Sequence, residues 1–167
     1  MAVPTSAKAR SLLADAVSVW RISPATVGDV IDAAVECLVA GIDSPSLREL
    51  AGASPKESQF ALEPLISDAL VELNMQEVLT ADVQRAALGA MLRKVHAGQL
   101  EMRELAGWAH RFVGHDGDTA CQAFVDLDDM YDDAEYSGRD LVVLEQWAAD
   151  AARAFLAGEP LPPYSWS

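Results

Sequence analysis

The chain has few basic residues and no long apolar run, so it lacks the features that mark nucleic-acid-binding and membrane-spanning proteins. Among 167 residues there are 12 Lys or Arg against 26 Asp or Glu, and the formal net charge is −14. The shortage of bases leaves no basic stripe, so we expect no nucleic-acid binding, because phosphate would be repelled. No apolar run approaches the roughly 18–20 residues that a membrane span needs. We therefore also expect no membrane association.

Cysteine is scarcer still, with two residues in the chain. Cys37 and Cys121 lie far apart, each within an apolar helical pattern. Two such residues predict buried thiols in a reducing compartment rather than a disulfide or a zinc pair. The first twenty residues are interrupted by Asp15, so they indicate a helix and not a signal peptide. The expected location is therefore cytoplasmic.

Helical periodicity dominates the rest of the chain, and we found no sustained alternation of the kind that indicates strands. The sequence predicts an all-α, single-domain bundle of seven or eight helices over 1–158 and no sheet. A proline- and aromatic-containing tail follows at 159–167, where Tyr164 and Trp166 either dock or stay free. One typical amphipathic stripe consists of Val27, Val30, Ile31, Ala34, Val35 and Leu38.

Helix boundaries are suggested by serine, proline and glycine. Ser44-Pro45 combines an N-cap residue with a proline at the first helical position, which predicts a helix start. Pro64 is expected to interrupt a helix, because its ring disrupts a helix interior. Ser137-Gly138 is interpreted as the start of the last long helix.

One short string recurs. Arg-Glu-Leu-Ala-Gly occurs at 48–52 and again at 103–107, each time ahead of an expected helix break. Two interpretations stay open: a duplicated helical hairpin, or a common helix-forming string that has arisen twice.

Negative charge is concentrated in one region. Residues 115–140 contain nine acids and one base, which is −8 of the total −14. If Leu127 and Tyr131 point inward, the acids of 126–135 fall on the outer side of a helix. Such a face suits a solvated surface, a docking patch for a basic protein, or a metal site. The candidate partner-binding residues are Asp126, Asp128, Asp129, Asp132, Asp133 and Glu135, with Tyr136 as an aromatic anchor.

The metal alternative rests on two carboxylate pairs. Glu101 and Glu104 form a Glu-x-x-Glu, and Asp126 and Asp129 form an Asp-x-x-Asp further along the chain. This arrangement resembles all-helical nucleotide pyrophosphohydrolases, in which two such helices bracket Mg²⁺. The resemblance implies Mg²⁺ as a cofactor, although Asp replaces the Glu expected in the second motif.

A second all-helical class is suggested by one dyad. His115-Asp116 resembles the pair that names the HD metal phosphohydrolases. That class also needs another histidine and a distant aspartate, and His96 and Asp150 are the candidates for these roles. The dyad alone is equally compatible with a plain helix–helix turn.

The region Leu100–Glu135 carries a broader likeness. A helix containing Arg-Glu-Leu-Ala-Gly-Trp-Ala, a short turn and an aspartate-rich helix resemble the small acidic helical proteins of high-GC bacteria. Some of these are immunity proteins that guard against secreted toxins. The resemblance implies a non-enzymatic, cofactor-free protein that binds a basic partner, such as a toxin domain. A Mg²⁺-dependent hydrolase and a subunit of a larger assembly stay as alternatives, and the oligomeric state stays open.

Overall fold

A computed structural model describes residues 3–164, and within that range the chain is helical throughout, with no strand. The predicted all-α fold is therefore confirmed. The described range holds nine α-helices, one or two more than predicted, and two short 3-10 helices at Pro24–Thr26 and Thr119–Cys121. The α-helices are α1 (Ser6–Ile22), α2 (Val27–Val39), α3 (Pro45–Ala51), α4 (Gln59–Glu72), α5 (Glu77–Thr80), α6 (Val83–His96), α7 (Met102–Phe112), α8 (Gln122–Ser137) and α9 (Val142–Ala157).

The chain divides into two compact units, Met1–Ala87 and Leu88–Ser167, and the division falls within α6. In the first unit, α1 packs against α2, and α3 packs against both α2 and α4. Leu13, Val30, Leu47 and Ile66 are almost fully buried in its apolar core. The side chain of Arg10 crosses this unit to donate a 2.8 Å hydrogen bond to the carbonyl of Leu73. The prediction of a single domain over 1–158 stays a prediction.

The second unit is organised around α8. Its helix α7 packs along α8, and α8 also contacts α9. Phe124 of α8 is fully buried, and its ring meets Phe155 of α9 edge-on at 5.7 Å between centroids. Leu127 and Tyr131 continue the same inward stripe, as the periodicity predicts. The opposite side of α8 is thereby turned to solvent.

Two boundary predictions were wrong. Pro64 lies inside α4 and does not interrupt it. Because Phe60 is 91% exposed, water has access to the carbonyl that Pro64 leaves without its usual helical donor. Gly138 ends α8 with a φ of 66° instead of starting α9, a conformation that glycine adopts without strain. Ser44-Pro45 does begin α3, with the Ser44 hydroxyl accepting from the Leu47 amide.

Part of the tail docks. The indole N–H of Trp147 donates a 3.0 Å hydrogen bond to the carbonyl of Pro162, and the Tyr164 ring packs edge-on against Trp147 at 5.0 Å. Trp166 lies outside the described residues. Within residues 3–164, none of the helices combines the length and the apolar character that crossing a bilayer would require.

Both cysteines are free, buried thiols, as predicted. Burial raises the pKa of Cys37, and its Sγ lies 3.4 Å from the carbonyl oxygen of Ala9. A buried thiol is a poor nucleophile, since the reactive thiolate is disfavoured. We expect iodoacetamide to leave both residues of the native protein unmodified and to alkylate both in denaturant, as counted by mass spectrometry. Rapid labelling of either cysteine in the native state would contradict the burial.

Candidate functional site at the α7–α8 hairpin

Helices α7 and α8 run antiparallel, because early residues of α7 face late residues of α8. Arg103 reaches Asp132, whereas His110, two turns later, reaches Asp128. Gly107 lies between these two contacts. A Cβ on Gly107 would lie 3.7 Å from Asp128 Oδ1, an ordinary van der Waals distance, so this position of α7 faces the Asp128 carboxylate. The second copy of the repeated string therefore lies within a continuous helix, unlike the first, which ends at the C-cap Gly52.

The acidic side chains of α8 are mostly exposed, as the sequence predicts. Five of these acids have side chains that are 53% to 68% exposed. The five extend over about 13 Å along the helix. Tyr136 beside them is 95% exposed. We call this set the acidic face: Asp126, Asp129, Asp132, Asp133, Glu135 and Tyr136.

Asp128 departs from that pattern. Its side chain is only 22% exposed and turns towards α7, where Oδ2 lies 2.8 Å from Nδ1 of His110 in a hydrogen bond. The residue was predicted to face a partner, but the structure places it between the two helices. Its contact with His110 links α7 to α8.

Two arginines partly offset the acidic face. Arg103 Nη2 donates to Asp132 Oδ1 at 2.6 Å, and Nη1 lies 3.1 Å from Glu135 Oε1. The same guanidinium lies over the ring of Tyr131, 5.0 Å from its centroid. Arg139 Nη1 is 3.4 Å from Asp133 Oδ2. The five acids therefore keep an excess of negative charge over these two bases.

Tyr131, whose ring lies under the Arg103 guanidinium, is buried on the inward side of α8. Burial raises the pKa of Tyr131, and the Glu145 carboxylate acts in the same direction, while Arg103 opposes both. A phenol whose pKa is raised stays neutral at physiological pH. Tyr131 therefore anchors α8 from the inside as an uncharged ring.

The predicted carboxylate quartet does not converge. Glu101 and Glu104 form a reciprocal capping box at the start of α7, in which each side chain accepts from the other residue's backbone N–H. Asp126 and Asp129 lie near the opposite end of the antiparallel pair. With Asp128 level with His110, Glu104 is displaced from them by about 9 Å along the helix. The capping box accounts for the Glu-x-x-Glu spacing without a metal ion.

A different cluster does form at that opposite end. His110, His115 and Asp129 each present a potential ligand atom within 4.8 Å of the others. His115 Nε2 is 3.4 Å from Asp129 Oδ2, and the two imidazole rings meet edge-on with centroids 4.9 Å apart. Within residues 3–164, three or more His, Cys, Asp or Glu side chains bring ligand atoms this close together in this cluster.

The HD-type set is not reproduced in that cluster. His115 belongs to it, but Asp116, His96 and Asp150 do not. Asp150 instead pairs with Arg153 on the same helix. Sequence reasoning missed His110 altogether, and its five-residue spacing from His115 across a glycine-containing turn was the signal that could have indicated it.

No protein-family model matches this chain, and neither does any curated protein or solved structure.

Proposed function

We propose that this chain is a non-enzymatic protein that binds a basic partner through the acidic face of α8. The observation that supports the proposal is the exposure of five carboxylates on one helix, where the described residues 3–164 place Arg103 and Arg139 against them. Like charges at this spacing destabilise a helix by a few tenths of a kcal/mol per pair. A positively charged surface bound to the acidic face would relieve that repulsion. The negative charge of the face also attracts such a surface over long range.

The face carries an aromatic residue as well as charge. Tyr136 projects from α8 with almost its whole side chain in solvent. Tyrosine supplies a large contact area with one polar end, and it is enriched among residues that dominate binding energy. Exposed aspartates around such a ring favour specific docking over diffuse attraction. The likeness of Leu100–Glu135 to bacterial immunity proteins makes a basic toxin domain the partner class we propose.

Neutralising part of the face tests the proposal. The variant Asp132→Asn/Asp133→Asn/Glu135→Gln removes three charges while it leaves the histidine cluster untouched. We expect its affinity for a basic toxin domain, the proposed partner class, to fall about 10-fold or more, mainly through slower association. Titration calorimetry gives the affinity and stopped-flow measurements give the association rate, each at two salt concentrations. Tyr136→Ala should weaken the complex by about 10-fold through faster dissociation.

A matched variant separates a specific face from overall charge. Asp32→Asn/Glu63→Gln/Asp68→Asn removes the same number and types of charge from exposed positions on α2 and α4. We expect this variant to bind as the unmodified protein does. Equal losses in the two triple variants, or no loss in either, would refute the acidic face as the docking surface.

A further inference from the structure

The histidine cluster at the end of the α7–α8 hairpin is built by three separate elements. His110 lies in the last turn of α7, His115 follows in the connecting loop, and Asp129 is on α8. Gly114, with a φ of 70°, turns the chain between the two histidines. The side-chain Nε2–H of Gln122 donates a 3.0 Å hydrogen bond to the Gly114 carbonyl, which ties the loop to the start of α8. Gly114, the residue directly before His115, is thus held against the start of α8.

The distances within the cluster approach those of ligands around one metal ion. Two ligands bound tetrahedrally to Zn²⁺ at its usual bond lengths are separated by about 3.3 Å. His115 Nε2 and Asp129 Oδ2 are 3.4 Å apart, and each of the three residues offers a ligand atom within 4.8 Å of the other two. Closing the remaining gap requires rotation of three side chains that are 38% to 57% exposed.

Neighbouring carboxylates orient both imidazoles. His110 Nδ1 is hydrogen-bonded to the poorly exposed Asp128, and His115 Nδ1 lies 3.5 Å from Asp126 Oδ1, so each ring would offer its Nε2 to a metal ion. This leaves His115 Nε2 directed towards Asp129. Metal-binding histidines in proteins usually have an acceptor of this kind next to the ring, which fixes its orientation and tautomer. The arrangement therefore contains outer partners as well as the three candidate ligands.

We infer that His110, His115 and Asp129 form a binding site for a divalent transition-metal ion of the Zn²⁺ class. Two imidazoles with one carboxylate favour Zn²⁺, Ni²⁺ or Co²⁺ over Mg²⁺ and Ca²⁺, which prefer sites made of oxygen alone. Three protein ligands leave a fourth tetrahedral position for water or for a group from another molecule. A bound ion would also cross-link the loop to both helices. This inference does not depend on the proposed protein partner.

The test uses the untagged full chain and the metal salts alone. We expect calorimetry to show one Zn²⁺ per chain, a rise in Tm with Zn²⁺ concentration, and visible d–d absorption on Co²⁺ binding. His115→Gln and Asp129→Asn should each weaken Zn²⁺ binding by more than about 10-fold, and Asp128→Asn by about 10–100-fold through loss of orientation. Mg²⁺ should produce no comparable change in Tm.

The chain offers a matched control in its third histidine. His96 is exposed near the end of α6 and does not belong to the cluster. His96→Gln should bind Zn²⁺ as the unmodified protein does. Failure to bind Zn²⁺, Ni²⁺ or Co²⁺ at millimolar concentration would overturn the inference, as would equal affinity in His96→Gln and His115→Gln. Circular dichroism of each variant verifies that the helical fold is retained.

Discussion

Replacing Phe124 with alanine is expected to lower the free energy of unfolding by about 3–5 kcal/mol, the usual range for truncating a buried phenylalanine. The ring is fully buried on the inward side of α8 and packs edge-on against Phe155. Truncation removes the apolar contacts and leaves a cavity that the surrounding helices fill only in part. Urea denaturation followed by far-UV circular dichroism gives the change.

Phe60 is the matched control for this prediction. The same residue type lies in the first turn of α4 with 91% of its side chain exposed. Phe60→Ala removes the same atoms without opening a cavity, so we expect a change within about 0.5 kcal/mol. A loss below about 1 kcal/mol for Phe124→Ala would contradict the packing of α8 against α9.

Replacing Arg103 with alanine is expected to destabilise the protein by about 1–2 kcal/mol. This sum allows for weak, solvent-screened ion pairs with Asp132 and Glu135 and for one cation–π contact with Tyr131. The side chain of Arg103 is 36% exposed, so the ion pairs are screened only in part. Losing Arg103 also leaves its carboxylate partners to repel their acidic neighbours. Urea denaturation at low and high salt separates these contributions, since salt reduces the ionic part.

The repeated string supplies the control for Arg103. Arg48 occupies the equivalent position in the first copy, and its guanidinium makes a two-pronged contact with Asp43, five residues away. That hydrogen-bonded ion pair lowers the pKa of Asp43, but both side chains are largely in solvent. Arg48→Ala should therefore have a smaller effect than Arg103→Ala. The reverse order would show that Arg103 does not hold α7 against α8.

The two copies of Arg-Glu-Leu-Ala-Gly also show how much tertiary context changes a local motif. In α3 the glycine ends the helix, and the arginine bonds within its own segment. In α7 the helix continues through the glycine, and the arginine crosses to α8. The sequence predicts a helix in both places, because these residues favour helices. What each side chain contacts depends on which helix packs beside it.

The candidate metal cluster illustrates the same division. His115 was singled out for its neighbour Asp116, and Asp129 for its spacing from Asp126, so each was assigned to a different site. Only the antiparallel register of α7 and α8 brings His110, His115 and Asp129 together. Glu101 and Glu104 have the right residue types for metal binding, but they satisfy backbone N–H groups at a helix start that would otherwise lack partners.

The sequence by itself determined the helical fold, the buried stripes of α8, the burial of both cysteines and the outward position of most of its acids. These properties depend on residue type and on the 3.6-residue period, which act within one helix. Tertiary structure alone decided that Asp128 turns inward, that Pro64 stays within α4 and that two histidines meet Asp129. These depend on contacts between residues distant in the chain, or on solvent access to one carbonyl, and a local pattern contains neither.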